Sequence, residues 1–201
     1  MKKFLRIAGT AGWSVSLLLV PIVGLFIAGY FYLEDDLPQL PQNLSYINYR
    51  PPTEIYSRDG EVIKTLGLRN TVRLDMISWK FQKAILAIED SRFFNHHGID
   101  PISFLRAMIA NVKEGRLVQG GSTITQQLAK NLFFSFDKSW MRKLKELLMA
   151  FQIESSFPKP AILEAYSNLV YFGNGAYGVD EASRVYFGKR AKDLTLLQSA
   201  M

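Results

Sequence analysis

A mainly α-helical domain with a small β element at its start, preceded by one transmembrane helix, is the fold class that this sequence predicts. Three observations predict it. Residues 7–33 hold no charged side chain and are rich in Leu, Ile, Val and Phe, a run long enough to cross a bilayer as a helix. Residues 53–68 read as two short β segments around the turn signal Arg58-Asp59-Gly60. From Ser78 onward the apolar spacing is helical, and capping residues divide it into segments.

The elements follow in order. Lys2, Lys3 and Arg6 precede the apolar run, and Glu34, Asp35 and Asp36 follow it. The positive-inside rule makes residues 1–6 a cytoplasmic tail and puts everything after Leu33 outside the membrane. Tyr30 and Tyr32 suit the outer interface, and a span tolerates Pro21 and Gly24. The rival reading is a cleaved signal peptide; the length of the run and the lack of a good small-x-small site stand against it. Residues 34–52 form a linker, acidic at first and then rich in proline. The hairpin sets Glu54-Ile55-Tyr56 against Val62-Ile63-Lys64-Thr65-Leu66. Asp100 caps a helix with Pro101 at its first position, and Gly115 ends it. Asp137 or Ser139 begins a long helix with Trp140, Leu144, Leu147, Leu148 and Phe151 on its apolar side. Pro160 begins the next, and Gly188 ends a short one over residues 179–187. Asp193 reads as a cap before Leu194. Residues 53–201 make one domain, and because the pattern stops inside a helix at Met201 the domain reads as C-terminally incomplete.

The chain has 201 residues, enough for one domain with a real core. It has no cysteine, which excludes disulfides, thiolate metal sites and cysteine nucleophiles and leaves the redox compartment open. Three of its 24 basic side chains precede the apolar run, leaving 21 against 18 acidic ones. That mild, unclustered excess does not argue for nucleic acid. It suits anionic headgroups or a pyrophosphate lipid.

The most informative stretch is Gly120-Gly121-Ser122-Thr123-Ile124-Thr125-Gln126-Gln127-Leu128-Ala129-Lys130-Asn131. A Gly-Gly turn enters a helix that Thr123 and Gln126 open as a capping box. Thr123, Gln126, Gln127 and Lys130 share one face, with Ile124, Leu128 and Leu132 on another. Amides and a cation beside a helix N-terminus suit a polyanionic or sugar ligand, because free N–H groups and the helix dipole favour anions there. A solvated outer face is the plain alternative.

Other carriers of chemistry are fewer. Glu89 ends an apolar helix before a run of aromatics, Ser91-Arg92-Phe93-Phe94-Asn95-His96-His97-Gly98. Buried against apolar groups it is a candidate general base; an ordinary last-turn Glu paired with Arg92 is the alternative. His96 and His97 are the only histidines, so a structural zinc site is not expected and hydrogen bonding within the loop is the better reading. Arg142 and Glu146 stand one turn apart, a pair that surface helices use routinely. Gly173-Asn174-Gly175-Ala176-Tyr177-Gly178 matches G-x-G-x-x-G, but a dinucleotide site needs a preceding strand, and here helices surround the glycines. They read as a tight turn.

These segments together resemble the family-51 glycosyltransferases, the peptidoglycan glycosyltransferases of bacterial cell-wall synthesis. The Gly-Gly-Ser-Thr stretch resembles the family's second motif and the Glu89 segment its first. Arg142-Lys143-Leu144-Lys145-Glu146 resembles the third. Lys159-Pro160-Ala161-Ile162-Leu163-Glu164-Ala165-Tyr166-Ser167-Asn168 resembles the fourth, with Ser167 where the family usually has Leu. Residues 182–201 resemble the fifth, with Gln198 in place of the usual Glu. The resemblance covers roughly residues 50–201.

The resemblance implies a lysozyme-like helical domain with a smaller membrane-apposed subdomain, of the type found in class A penicillin-binding proteins. It implies Glu89 and Glu146 as catalytic carboxylates. It implies Asp90, Phe93, His96, Gly121, Ser122, Thr123, Gln126, Gln127, Lys130, Asn131, Arg142, Lys143, Glu164 and Asn168 as substrate-binding residues. It admits a divalent cation, Mg2+ or Mn2+, at Glu89 or beside it, and no organic cofactor. Its ligands are lipid II and the growing glycan strand, its surface the bacterial cytoplasmic membrane, and its partners cell-wall synthesis complexes. A membrane-anchored muramidase and a non-catalytic lipid-II-binding fragment remain as alternatives.

Overall fold

The computed structural model of the chain describes residues 36–44, 53–66, 70–134 and 139–201, together with Gly24, Ala28 and Gly29. The tail 1–6, most of the run 7–33 and most of the linker lie outside the described residues. Among the described residues no helix is long and apolar enough to cross a membrane. The chain divides after Pro38, and every element below belongs to the unit Gln39–Met201.

Strands β1 (Thr53–Tyr56) and β2 (Val62–Leu66) pair antiparallel, with Thr53 opposite Leu66 and Tyr56 opposite Val62. The residues of β1 are all exposed. Then come α1 (Trp79–Glu89), α2 (Pro101–Glu114), α3 (Ile124–Phe133), α4 (Trp140–Ser156), α5 (Lys159–Leu169), α6 (Val179–Phe187) and α7 (Leu196–Ala200).

Side chains at the helix ends explain where most of them start and stop. Asp100 accepts from the amides of Ile102 at 3.0 Å and Ser103 at 3.2 Å, Pro101 takes the first position of α2, and Gly115 closes it at φ +63°. Ser139, not Asp137, caps α4 by accepting from Arg142 N at 3.1 Å; Asp137 lies outside the described residues. Gly188 ends α6 in the left-handed region. Asp193 is not a cap: it belongs to the 3-10 turn Ala191–Asp193, and Thr195 caps α7 in a capping box with Gln198.

Two apolar clusters position the site. One joins Ile77, Phe81, Val179, Ala191 and Leu194. In the other α3 packs on both α4 and α5, burying Ile124, Leu128, Met149, Ile153, Ile162 and Tyr166. The apolar side expected for α4 needs correction. Its buried stripe is Glu146, Met149, Ala150 and Ile153, at helical i, i+3, i+4, i+7 spacing, with Leu148 beside it. Trp140 is 92% exposed and Phe151 is exposed too, because the helix turns the 146–153 stripe and not those aromatics to the core. The glycine-rich segment 173–178 is a turn between α5 and α6, closed by an isolated bridge of Tyr171 with Tyr177. A helix precedes it, as the tight-turn reading requires.

Candidate functional site

The head of α3 is the piece around which the site is built. Thr123 Oγ1 accepts from Gln126 N at 3.2 Å, and Gln126 Oε1 accepts from Thr123 N at 3.2 Å. The capping box expected from the sequence is present. Thr123 Oγ1 also donates to the carbonyl of Gly98 at 2.7 Å, which ties α3 to the loop after α1. Gly121 lies against α2: a Cβ there would stand 3.1 Å from Phe104 Cα, so only glycine fits without a shift.

The helix N-terminus is not left open for a ligand. Ile124 N donates to Oδ2 of Asp90 at 3.0 Å, and both Asp90 oxygens lie 3.0 Å from Nε2 of His96. The anion at this N-terminus is therefore the chain's own carboxylate. Asp90, Phe93, His96, Thr123 and Gln126 are all buried, and the polar ones among them bond within the chain. In this structure they serve as framework for the cleft. The loop reading of the histidines holds for His96; His97 is exposed. Lys130 is half-buried in the last turn of α3. It stands roughly 10 Å along the axis from Thr123, at 1.5 Å per residue. It is not beside the N-terminus, and at a helix C-terminus a cation is favourable. Asn131 follows it, also half-buried.

Glu89 is the last residue of α1 and is exposed, so the expected burial against apolar groups is absent. Nor does it pair with Arg92, whose Nε lies 3.1 Å from Asp100 Oδ2. Gln127 reaches it instead: Nε2 donates to Glu89 Oε2 at 2.8 Å. Glu89 faces a cleft of about 450 Å3 whose walls include Ser103, Arg106, Gln119, Gly121, Ser122 and Gln127. Sequence reasoning missed Ser103, Arg106 and Gln119. For Ser103 and Arg106 the signal was the Asp100 cap: Ser103 Oγ donates to Asp100 Oδ2 at 2.6 Å, and Arg106, one turn on, donates to Ser103 Oγ at 3.2 Å. Gln119 is held by Asn111, whose Oδ1 accepts from Gln119 N at 2.9 Å.

The third segment forms the other half of the site. Glu146 is 1% exposed, so it is not the surface pair its spacing suggests. Arg142 Nη1 donates to its Oε1, and Lys143 Nζ donates to its Oε2 at 3.0 Å. Lys143 Nζ also donates to Ser122 Oγ at 2.9 Å. One buried carboxylate thus fixes two cations, and one of them reaches the turn that lines the Glu89 cleft.

Glu164 and Asn168 are directed elsewhere. Glu164 Oε2 accepts from Leu74 N at 2.8 Å, and Asn168 brackets Val72, accepting from its N at 2.9 Å and donating to its O at 2.8 Å. They clamp the strap before α1 onto α5, and the site does not gather them with Glu89.

The resemblance admits a divalent cation at Glu89 or beside it. The neighbouring Asp90 faces inward, and Gln127 takes one of the Glu89 oxygens. Among the described residues no group of three or more His, Asp or Glu is placed to hold a metal ion. The donor set does not fit a protein-built site for Mg2+ or Mn2+.

The model of the family described as Transglycosylase matches residues 59–201. The chain is 42% identical over 184 residues to penicillin-binding protein 1A of Aquifex aeolicus, covering 90% of this chain and 25% of that protein. It is 40% identical over 191 residues to penicillin-binding protein 1A of Pseudomonas aeruginosa, covering 94% and 23%. It is 45% identical over 174 residues to penicillin-binding protein 1A of Escherichia coli, covering 86% and 20%. The chain spans a quarter or less of the length of these relatives. With a family match over most of its length and relatives at this identity, the chain belongs to the transglycosylase family, its matched residues being a transglycosylase domain of the class A penicillin-binding protein type.

Proposed function

We propose that this chain is a peptidoglycan glycosyltransferase that polymerises lipid II into glycan strands. One observation carries the reading. The candidate base and one candidate cation hydrogen-bond to the same short segment, Glu89 through Gln127 and Lys143 through Ser122. In the reaction, the 4-hydroxyl of an acceptor N-acetylglucosamine attacks the anomeric carbon of the donor N-acetylmuramic acid with inversion. The new C–O bond forms as the bond to pyrophosphate breaks. Glu89 takes the hydroxyl proton, and the bonding pair leaves on undecaprenyl pyrophosphate. That leaving group needs charge neutralisation and not a proton, which suits Arg142 and Lys143, with Lys130 as a further cation. Gly121, Ser122 and Gln127 line the acceptor side.

A muramidase would use two carboxylates around an alkoxide leaving group. Glu146, buried between two cations, suits holding those cations and not giving a proton. The charge step across residues 7–33 supports a single span that anchors the domain on the outer face of the cytoplasmic membrane, beside its lipid substrate and cell-wall synthesis complexes.

A lipid II polymerisation assay on detergent-solubilised protein, read by product length, tests the reading. Wild type yields polymer, and Glu89→Gln lowers the rate by roughly 100-fold or more, the scale of a lost general base, while lipid II binding is retained. Binding without polymer in the wild type identifies a non-catalytic lipid-II binder. Cleavage of preformed strands identifies a muramidase.

A further inference from the structure

Tyr166 stands in the fourth segment with no role assigned to it. It lies on α5, only 2% exposed, and its hydroxyl donates to Oε1 of Gln127 at 3.1 Å. The other end of that amide, Nε2, donates to Oε2 of Glu89 at 2.8 Å. An amide between two partners has two orientations. A carboxylate only accepts, so Glu89 requires the NH2 end. A phenol both donates and accepts, so Tyr166 reinforces that orientation only as a donor. Burial pushes the Tyr166 hydroxyl well above the ordinary phenol range, and the charges of Glu89 and Asp90 push it the same way. It therefore keeps its proton, and a hydrogen bond into the amide oxygen strengthens the amide as a donor at its far end.

We propose that Tyr166 and Gln127 are paired positioning residues for Glu89: the buried phenol locks the Gln127 amide, and the amide aims the exposed Glu89 carboxylate. The proposal rests on Glu89 as the base. Its neighbours do not supply this control. Of the charged groups that share the cleft, Asp90 is held by His96, Asp100 by Arg92, and Arg106 rests on Ser103. Tyr186, which lines the space on the other side of Glu89, donates to Phe172 O, and α3 adds Lys130 in its last turn. All of these are unchanged when the Tyr166 hydroxyl alone is removed.

The test is Tyr166→Phe, in the wild-type and in the Gln127→Ala background, with two readouts: the side-chain amide NMR signals of Gln127, and saturated polymerisation turnover measured beside KM. Losing the lock frees the Gln127 amide to turn. Tyr166→Phe should therefore shift or broaden those signals and lower turnover by roughly three- to ten-fold, the scale of one neutral hydrogen bond, while KM stays within about two-fold, as for a group that does not touch substrate. In the Gln127→Ala background the same substitution should leave turnover unchanged. Unmoved Gln127 signals or unmoved turnover in Tyr166→Phe, or an equal fall in turnover in the absence of Gln127, overturns the relay. Glu89→Gln, which removes the base outright, keeps a failure of Glu89 as the base separate from a failure of the relay.

Discussion

Ser167 is fully buried on α5, and its hydroxyl has no hydrogen-bond partner. The sequence marks it as the position where the family resemblance expects Leu, and the structure gives that departure a physical cost. An unsatisfied buried polar group costs about 1–3 kcal/mol. Ser167→Ala removes the hydroxyl and leaves the volume nearly unchanged. The expected gain is about 1 kcal/mol, seen as a higher denaturant midpoint at constant slope. An unchanged or lower midpoint means the hydroxyl is satisfied in solution. Glu146 teaches the converse. Its i,i+4 spacing to Arg142 was legible, but its burial was not, because burial comes from α3 packing across α4 and leaves no mark on local spacing. Glu89 erred the other way: an apolar helix end suggested a buried carboxylate, and the side chain faces a cleft.

At the scale of elements, caps were the most legible feature. Asp100, Pro101 and Gly115 frame α2 as their residue types dictate, and Thr123 with Gln126 opens α3. Gln198, where the resemblance expects Glu, still completes the α7 capping box through Oε1, since that position needs an acceptor and not a charge. Caps are local, and so they can be read locally. The closing of α3 by Asp90 spans 34 residues and could not be. The α2 cap also has a pH signature. Burial works to raise the Asp100 carboxyl, but hydrogen bonds from Ser103 and Ile102 and the Arg92 guanidinium outweigh it and hold the group below its ordinary value of 3.8. A depressed folded value stabilises the fold above the unfolded value, and this contribution is lost as the pH falls through the folded one. Asp100→Asn keeps an N-cap acceptor but cannot titrate. Acid unfolding curves should therefore show the variant with a weaker loss of stability below about pH 4 than wild type. Parallel curves would remove Asp100 from the acid transition.

For the molecule as a whole, the sequence carried the order of elements, the mainly helical class and the hairpin. The grouping of residues around the site was only partly legible. The sequence put Thr123, Gln126, Gln127 and Lys130 on one stripe. The structure separates them into a buried cap, an amide that reaches Glu89, and a cation at the far end of the helix. Glu164 and Asn168 fell beside the site in sequence pattern and beside the 72–74 strap in space. The membrane reading rests on the apolar length of residues 7–33 and the charges that flank it, since those residues are mostly outside the described part. A periplasm-specific reporter fused after Met201 should be active in cells, because three cations lead the apolar run and three acids trail it. Activity of a cytoplasm-specific reporter at that point reverses the orientation.

Glu89 and Asp90 are consecutive, yet one is exposed and the other buried and bonded to His96 and Ile124. The chain therefore has a fixed reading frame here. Inserting a single residue at the end of α1 would move Glu89 into the buried place under α3 and push Asp90 one place on, whereas deleting one would carry Asp90 out to the cleft and leave Ser91 in the anchor's place. Length variation that loops elsewhere absorb is shut out at this junction.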